Sequence, residues 1–250
     1  MTELRKVKIK EKIYHSFNCI LNYAGLDLRR YPSRSRRALI KYLAENQVHC
    51  CIDAGANTGQ FASGLRSSGF HGAIISFEPQ KAAFDKLSRK AQRDGKWATV
   101  NAGLGDKDTS AILNISANSV SSSILPMEER TTLHVAEASY IANEEIKVFR
   151  LDSFMKAKGV SERVFLKIDT QGYEAKILDG ASSYFEHIFA LQLETSFVRL
   201  YRGEILFDEM KRKIEDLGFY VSSVECEFID ETNGMLLQAD IVFLRDIHRL

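Results

Sequence analysis

From Val48 onward, short apolar runs alternate with stretches of helical periodicity, and most runs end in an acid or a small-residue turn. Unbroken apolar runs suit strands buried on both faces, which calls for a mainly parallel sheet with helices on both sides. The spacing predicts strands at 49–54, 73–77, 97–101, 164–168 and 188–195, and helices at 58–68, 81–93, 173–180 and 204–217. Phe61 with Leu65, Phe84 with Leu87 and Ala91, and Leu206 with Met210, Ile214 and Leu217 form the apolar stripes that face the core. Residues 219–228 and 239–244 flank the turn signal Glu231-Thr232-Asn233-Gly234, an antiparallel hairpin closing the sheet. A long insertion at 106–160 separates the third and fourth core strands. It has short strands at 110–115 and 146–150, a Ser-rich stretch and a helix, and its length makes it a candidate lid.

With 250 residues, 45% of them hydrophobic, the chain can bury one substantial core. The expected organisation is a helical preface at 1–47 and one domain at 48–250. In the preface, Ile13, Phe17, Ile20, Leu21 and Ala24 repeat at helical spacing, and Leu39 with Leu43 resumes it after Pro32. No run of eighteen apolar residues occurs, and charge interleaves the first residues. Neither a membrane span nor a secretory signal is expected, and the cysteine usage points to a reducing, cytoplasmic setting. The cysteines Cys19, Cys50, Cys51 and Cys226 lack metal-knuckle spacing, and the adjacent pair should point to opposite faces of a strand. A net charge of +1 argues against a dedicated nucleic-acid binder. Residues 1–41 nevertheless hold eleven Lys or Arg against three acids. A solvated helical face is the plainer account of that run, with peripheral contact to an anionic membrane left open.

The first strand runs into Asp53-Ala54-Gly55-Ala56-Asn57-Thr58-Gly59-Gln60-Phe61, a strand, a small-residue turn and a helix start. Gly55 and Gly59 permit unusual dihedrals, and Asn57 or Thr58 can cap the helix. The turn lacks the Lys-Ser/Thr of a phosphate loop, and its glycines stand four apart instead of following the dinucleotide spacing. A carboxylate at Asp53 would repel a diphosphate and favour a cation. S-adenosylmethionine fits that preference, since it carries an ammonium, a sulfonium and no phosphate. The second strand ends in Glu78-Pro79, where an acid can accept both hydroxyls of a ribose. After the third, Asn101-Ala102-Gly103-Leu104-Gly105-Asp106 places Gly105 and Asp106 for an adenine edge, or forms an ordinary turn. The fourth brings Asp169, then Glu174 in the first turn of a helix, and Glu194 ends the fifth.

Together these segments resemble the FkbM-type S-adenosylmethionine-dependent methyltransferases. The resemblance covers roughly 48–244 through DAGANTGQFA at 53–62, SFEP at 76–79, NAGLGD at 101–106, NSVSSSIL at 118–125, RLDSF at 150–154, LKIDTQGYE at 166–174 and Asp240-Ile241-Val242-Phe243. It implies a Rossmann-like α/β fold with a mainly parallel seven-stranded sheet and a terminal antiparallel hairpin. It further implies O-methylation of a hydroxyl on a sugar, glycolipid or other natural-product intermediate. Carried over by position, the cofactor turn falls on Asp53, Gly55, Ala56, Asn57, Thr58, Gly59 and Phe61, the ribose acid on Glu78, and the fourth-strand acid on Asp169. Ser121, Ser122 and Ser123 resemble the family's loop over the cofactor and become candidate acceptor contacts. Removing the acceptor proton calls for a base, with Asp169 first, His134 second and Glu194 third. Asp169 and Glu194 lack a third convincing metal ligand, so no metal is expected. The rival readings are an NAD(P)-dependent oxidoreductase and an inactive binding protein on the same fold.

Overall fold

The computed structural model describes residues 21–26, 31–118, 120–128, 139–160 and 162–246. Along the chain run α1 (Arg34–Glu45), β1 (Cys50–Ala54), α2 (Gln60–Ser67), β2 (Ala73–Phe77), α3 (Lys81–Ala91), β3 (Trp97–Val100), β4 (Gly103–Leu104), β5 (Thr109–Ser116) and β6 (Tyr140–Phe149). Then follow α4 (Leu151–Lys158), β7 (Val164–Ile168), α5 (Glu174–Gly180), a 3-10 helix (Ser182–His187), β8 (Ile188–Ser196), α6 (Phe207–Asp216), β9 (Phe219–Asp230) and β10 (Met235–Arg245).

Seven strands form one sheet in the order β3-β2-β1-β7-β8-β10-β9. The pairs from β3 to β8 are parallel, and β10 is antiparallel to both its neighbours. Every residue of β1 and β7 is buried, which is why those strands read as apolar runs interrupted only by Asp53 and Lys167. One face of the sheet packs Ile52, Leu166 and Leu193 against Met155, Ile177 and Met210 of α4, α5 and α6. The other packs Cys51 and Phe165 under Leu39 and Leu43 of α1, Leu65 of α2 and Leu87 of α3. Each such side chain contributes about 1.5–3 kcal/mol through burial. Cys50 and Cys51 fall in opposite clusters, as strand alternation requires. Helix α1 of the preface is thus packed on the sheet; Ile13, Phe17, Cys19 and Ile20 lie outside the described residues.

The insertion builds a second sheet in the order β4-β6-β5. Its strand β6 begins six residues before the expected 146, because Ile141, Ala142, Asn143 and Glu144 face outward or carry polar groups and give no apolar signal. At the hairpin turn, the Asp230 carboxylate accepts from the Thr232 N–H (2.9 Å) and the Asn233 side-chain amide (2.8 Å). The strand direction β7 to β8 and the reversal at β10 leave the carboxyl ends of β1, β2, β7 and β8 along one rim, where ligands of open α/β sheets bind.

Candidate active site

Parallel register sets Asp53 of β1 directly beside Lys167 of β7. The Lys167 ammonium lies 3.4 Å from Asp53 Oδ1 and 3.3 Å from Asp169 Oδ2, and it donates to the Gly55 carbonyl at 3.1 Å. Asp53 also accepts from Ser76 Oγ (3.0 Å), which in turn accepts from the Trp97 indole N–H (2.9 Å). Burial raises the Asp53 carboxyl above its ordinary range, opposed by Lys167 and Ser76. Burial would lower the Lys167 ammonium, but Asp169 and Asp53 outweigh it and the net shift is upward. The sequence sets Asp53 toward a cation of the ligand. Its side chain is fully buried, and the cation it faces is the chain's own Lys167.

Two glycines shape the turn after β1. Gly55 has φ of +74°, and a Cβ there would lie 1.8 Å from the Asp169 carbonyl oxygen, so it lets the tips of β1 and β7 close together. Gly59 has φ of +82° and is itself the N-cap of α2, with no side-chain cap. The expected capping by Asn57 or Thr58 does not occur, since the left-handed Gly59 places α2 two residues later. The Asn57 N–H instead donates to Glu78 Oε2 at 2.7 Å, while the Gln80 N–H donates to Oε1 at 2.8 Å. Burial lifts the Glu78 carboxyl to about 7 against these two donors and Lys167. Glu78 is therefore fixed at both oxygens, with lone pairs remaining for a diol.

Asp169 is the exposed partner of Lys167, with 37% of its side chain open. Gln171, unremarked in the sequence, lies between Asp169 and Glu194: its Nε2 donates to Asp169 Oδ1 (3.2 Å) and Glu194 Oε2 (2.5 Å). Glu194 also accepts from the Gln238 amide at 3.0 Å. Burial, then Asp169, Glu174 and Asp240, hold the Glu194 carboxyl well above the usual carboxylate range. Glu174 is buried and accepts from the N–H groups of Thr170 (2.9 Å) and Gly172 (3.2 Å), so it braces the 169–172 turn; burial lifts it to about 7.

The serine loop reaches the same rim. Ser123 is buried and donates to the Gln171 carbonyl at 2.6 Å, pinning the loop to the tip of β7. Ser121 Oγ accepts from the Asn118 amide at 3.0 Å, and Ser122 alone of the three lines the cleft. Beyond β3, the cleft is lined by Gly103 and Leu104 of β4 and not by Gly105 or Asp106. Asp106 faces away to pair with Lys176 at 3.0 Å, which lowers its carboxyl. His134 lies outside the described residues.

These side chains enclose a cleft of about 290 Å³. It is lined by Gly55, Ala56, Asn57 and Phe61 of the turn after β1, by Glu78 and Leu104, and by Asp169, Gln171, Ser122 and Asp240. Thr58 and Gly59 do not reach it. Lys167 is the only Lys or Arg among the described residues of the lining, and two carboxylates hold it. Such a lining suits a phosphate-free nucleoside with a diol and a positive charge, and is poor for a diphosphate. Among the described residues, no group of three His, Cys, Asp or Glu side chains is placed to hold a metal ion. No helix of the described residues is long and apolar enough to cross a membrane.

The sheet order, the reversed β10 and this rim are those of an α/β methyltransferase with a Rossmann-like fold. Residues 53–221 match the methyltransferase FkbM domain, and the chain belongs to that family of S-adenosylmethionine-dependent methyltransferases. Methyltransferase sdnD of Sordaria araneosa is 22% identical over 209 residues, spanning 74% of this chain and 79% of that protein. Among solved structures, magnesium protoporphyrin IX methyltransferase of Synechocystis PCC 6803 with bound SAM is 11% identical, with a TM-score of 0.43 over 85% of this chain and 79% of that one. An rRNA methylase of Streptococcus thermophilus is likewise 11% identical, with a TM-score of 0.45 over 88% of this chain and 99% of that one.

Proposed function

We propose that this enzyme methylates a hydroxyl of an uncharged small molecule, a sugar, glycolipid or other natural-product intermediate, using residues 48–250 as its catalytic domain. The observation that carries this reading is Asp169, a partly exposed carboxylate in the cleft lining with an internal ammonium at 3.3 Å. When bound, S-adenosylmethionine supplies an electrophilic methyl group and a leaving thioether. Glu78 would hold the ribose diol, the backbone from Gly55 to Asn57 the methionyl end, and Gly103 with Leu104 the adenine. Asp169 accepts the hydroxyl proton as the acceptor oxygen bonds to carbon, while alignment of the two reactants in the cleft supplies much of the rate. Glu194, the other carboxyl of the Gln171 bridge, does not line the cleft and accepts from two side-chain amides, so it is the less accessible base. Asp240 and Asp169 make the cleft lining acidic, which disfavours a phosphorylated or carboxylated acceptor and a nucleic acid.

The experiment is transfer of isotopically labelled methyl to a panel of neutral, phosphorylated and carboxylated hydroxyl compounds, read by mass spectrometry. Labelling confined to neutral hydroxyls supports the reading. Labelling of anionic compounds, of amines or of RNA overturns it.

A further inference from the structure

Gln171 takes no part in the assignments above, yet it is the junction of four separate elements. It has φ of +57°, the left-handed region that a non-glycine residue rarely adopts and that recurs at functional sites. Its side-chain amide reaches both carboxylates at once, Asp169 Oδ1 at 3.2 Å and Glu194 Oε2 at 2.5 Å. On the other side, Oε1 accepts from the Tyr201 hydroxyl at 2.7 Å. Two carboxylates on one side and a hydroxyl donor on the other leave the amide a single orientation, because the reverse would set oxygen against oxygen. Its main-chain carbonyl accepts from Ser123, so the serine loop rests on the same residue.

We propose that Gln171 is a positioning residue for methyl transfer: its amide, oriented by Tyr201, ties Asp169 and Glu194 into one hydrogen-bonded pair at the acceptor edge of the cleft. The proposal rests on the reading of Asp169 as the base. Without the bridge, two carboxyls at neighbouring strand ends would repel or swing apart, and Asp169 would lose its fixed direction toward the cleft. The charged groups facing the pair are Lys167 on β7, Glu174 on α5 and Asp240 on β10, with Tyr201 and Glu204 behind. Of these only Lys167 is a cation, so the amide is the neutral group that lets the two acids coexist. A hydrogen bond to a carboxylate favours its charged form.

The test is carboxyl-carbon NMR titration of the full chain as wild type, Q171N, Q171M and Y201F, with calorimetric titration of S-adenosylhomocysteine on the same samples. Asn tolerates the left-handed backbone but is too short to span both acids. In Q171N and Q171M the Glu194 midpoint should rise by about one pH unit, about tenfold in proton affinity. Y201F should shift it the same way by less. Affinity for S-adenosylhomocysteine should change less than about threefold, since a positioning residue leaves the cofactor wall intact. An unmoved Glu194 midpoint in folded Q171N and Y201F overturns the proposal, as does a parallel loss of thermal stability and ligand affinity in both. Should Q171M fail to fold, the other two variants decide alone. Labelled transfer by D169N answers separately: full transfer there removes the reading of Asp169 while leaving the titration of the bridge to stand or fall by itself.

Discussion

Asp53 and Asp169 flank one ammonium at the tips of adjacent parallel strands, at 3.4 and 3.3 Å from Lys167, and they do different things. Asp53 lies inside β1, fully buried and tied to Ser76 and Trp97; Asp169 lies one residue beyond β7 with 37% of its side chain open. Two positions along the paired strands separate a carboxylate walled into the sheet from one partly open to solvent. Burial, not residue type, makes the division. A buried pair contributes little net stability when intact but costs heavily when one partner is lost.

The comparison breaks most visibly at Asp53. D53A leaves Lys167 with one partner and should cost about 3–5 kcal/mol, read as a fall in the urea midpoint without change in slope. If D53A keeps wild-type stability but loses cofactor affinity, the division between the two acids is wrong. D169N should slow labelled transfer about a hundredfold or more, with S-adenosylhomocysteine affinity within about threefold of wild type. A smaller effect is expected at Glu78, where E78A should weaken S-adenosylhomocysteine about 10- to 100-fold, a loss of charge-assisted hydrogen bonds worth about 1.5–3 kcal/mol. Glu78 also predicts a pH dependence. Its folded value near 7 lies above the ordinary 4.5, so its contribution to stability is full below about 4.5 and is lost as pH rises through about 7. Thermal unfolding of E78Q should therefore show a flatter decline than wild type between those limits. The mildest change is S122A, which should raise the acceptor KM less than about fivefold, because one neutral hydrogen bond is worth about 1 kcal/mol.

Much of the rim was legible because it follows strand ends. Asp53, Glu78, Asp169 and Glu194 each close an apolar run, and parallel strands running the same way must bring those ends together. Lys167 was the neglected signal: a Lys inside the run Val164-Phe165-Leu166-Lys167-Ile168 requires a buried partner. Alternation along β1 and β7 would have placed that partner at Asp53 on the same face. Gln171 and Tyr201 carried no such signal. They meet through a turn with left-handed backbone and a loop thirty residues further on, and neither periodicity nor spacing reports that approach. The partner of Asp106 was equally illegible, since Lys176 stands seventy residues away.

By itself the amino-acid order determined the alternation of strands and helices and the rim where the acids of the strand ends gather. These follow from periodicity and from short connections, which act locally. Only the tertiary structure decided which acids are walled in and which are open, since that depends on what register and packing set beside each one. A carboxylate's chemistry is fixed by its solvation and its neighbours, and neither is written in the residues that flank it.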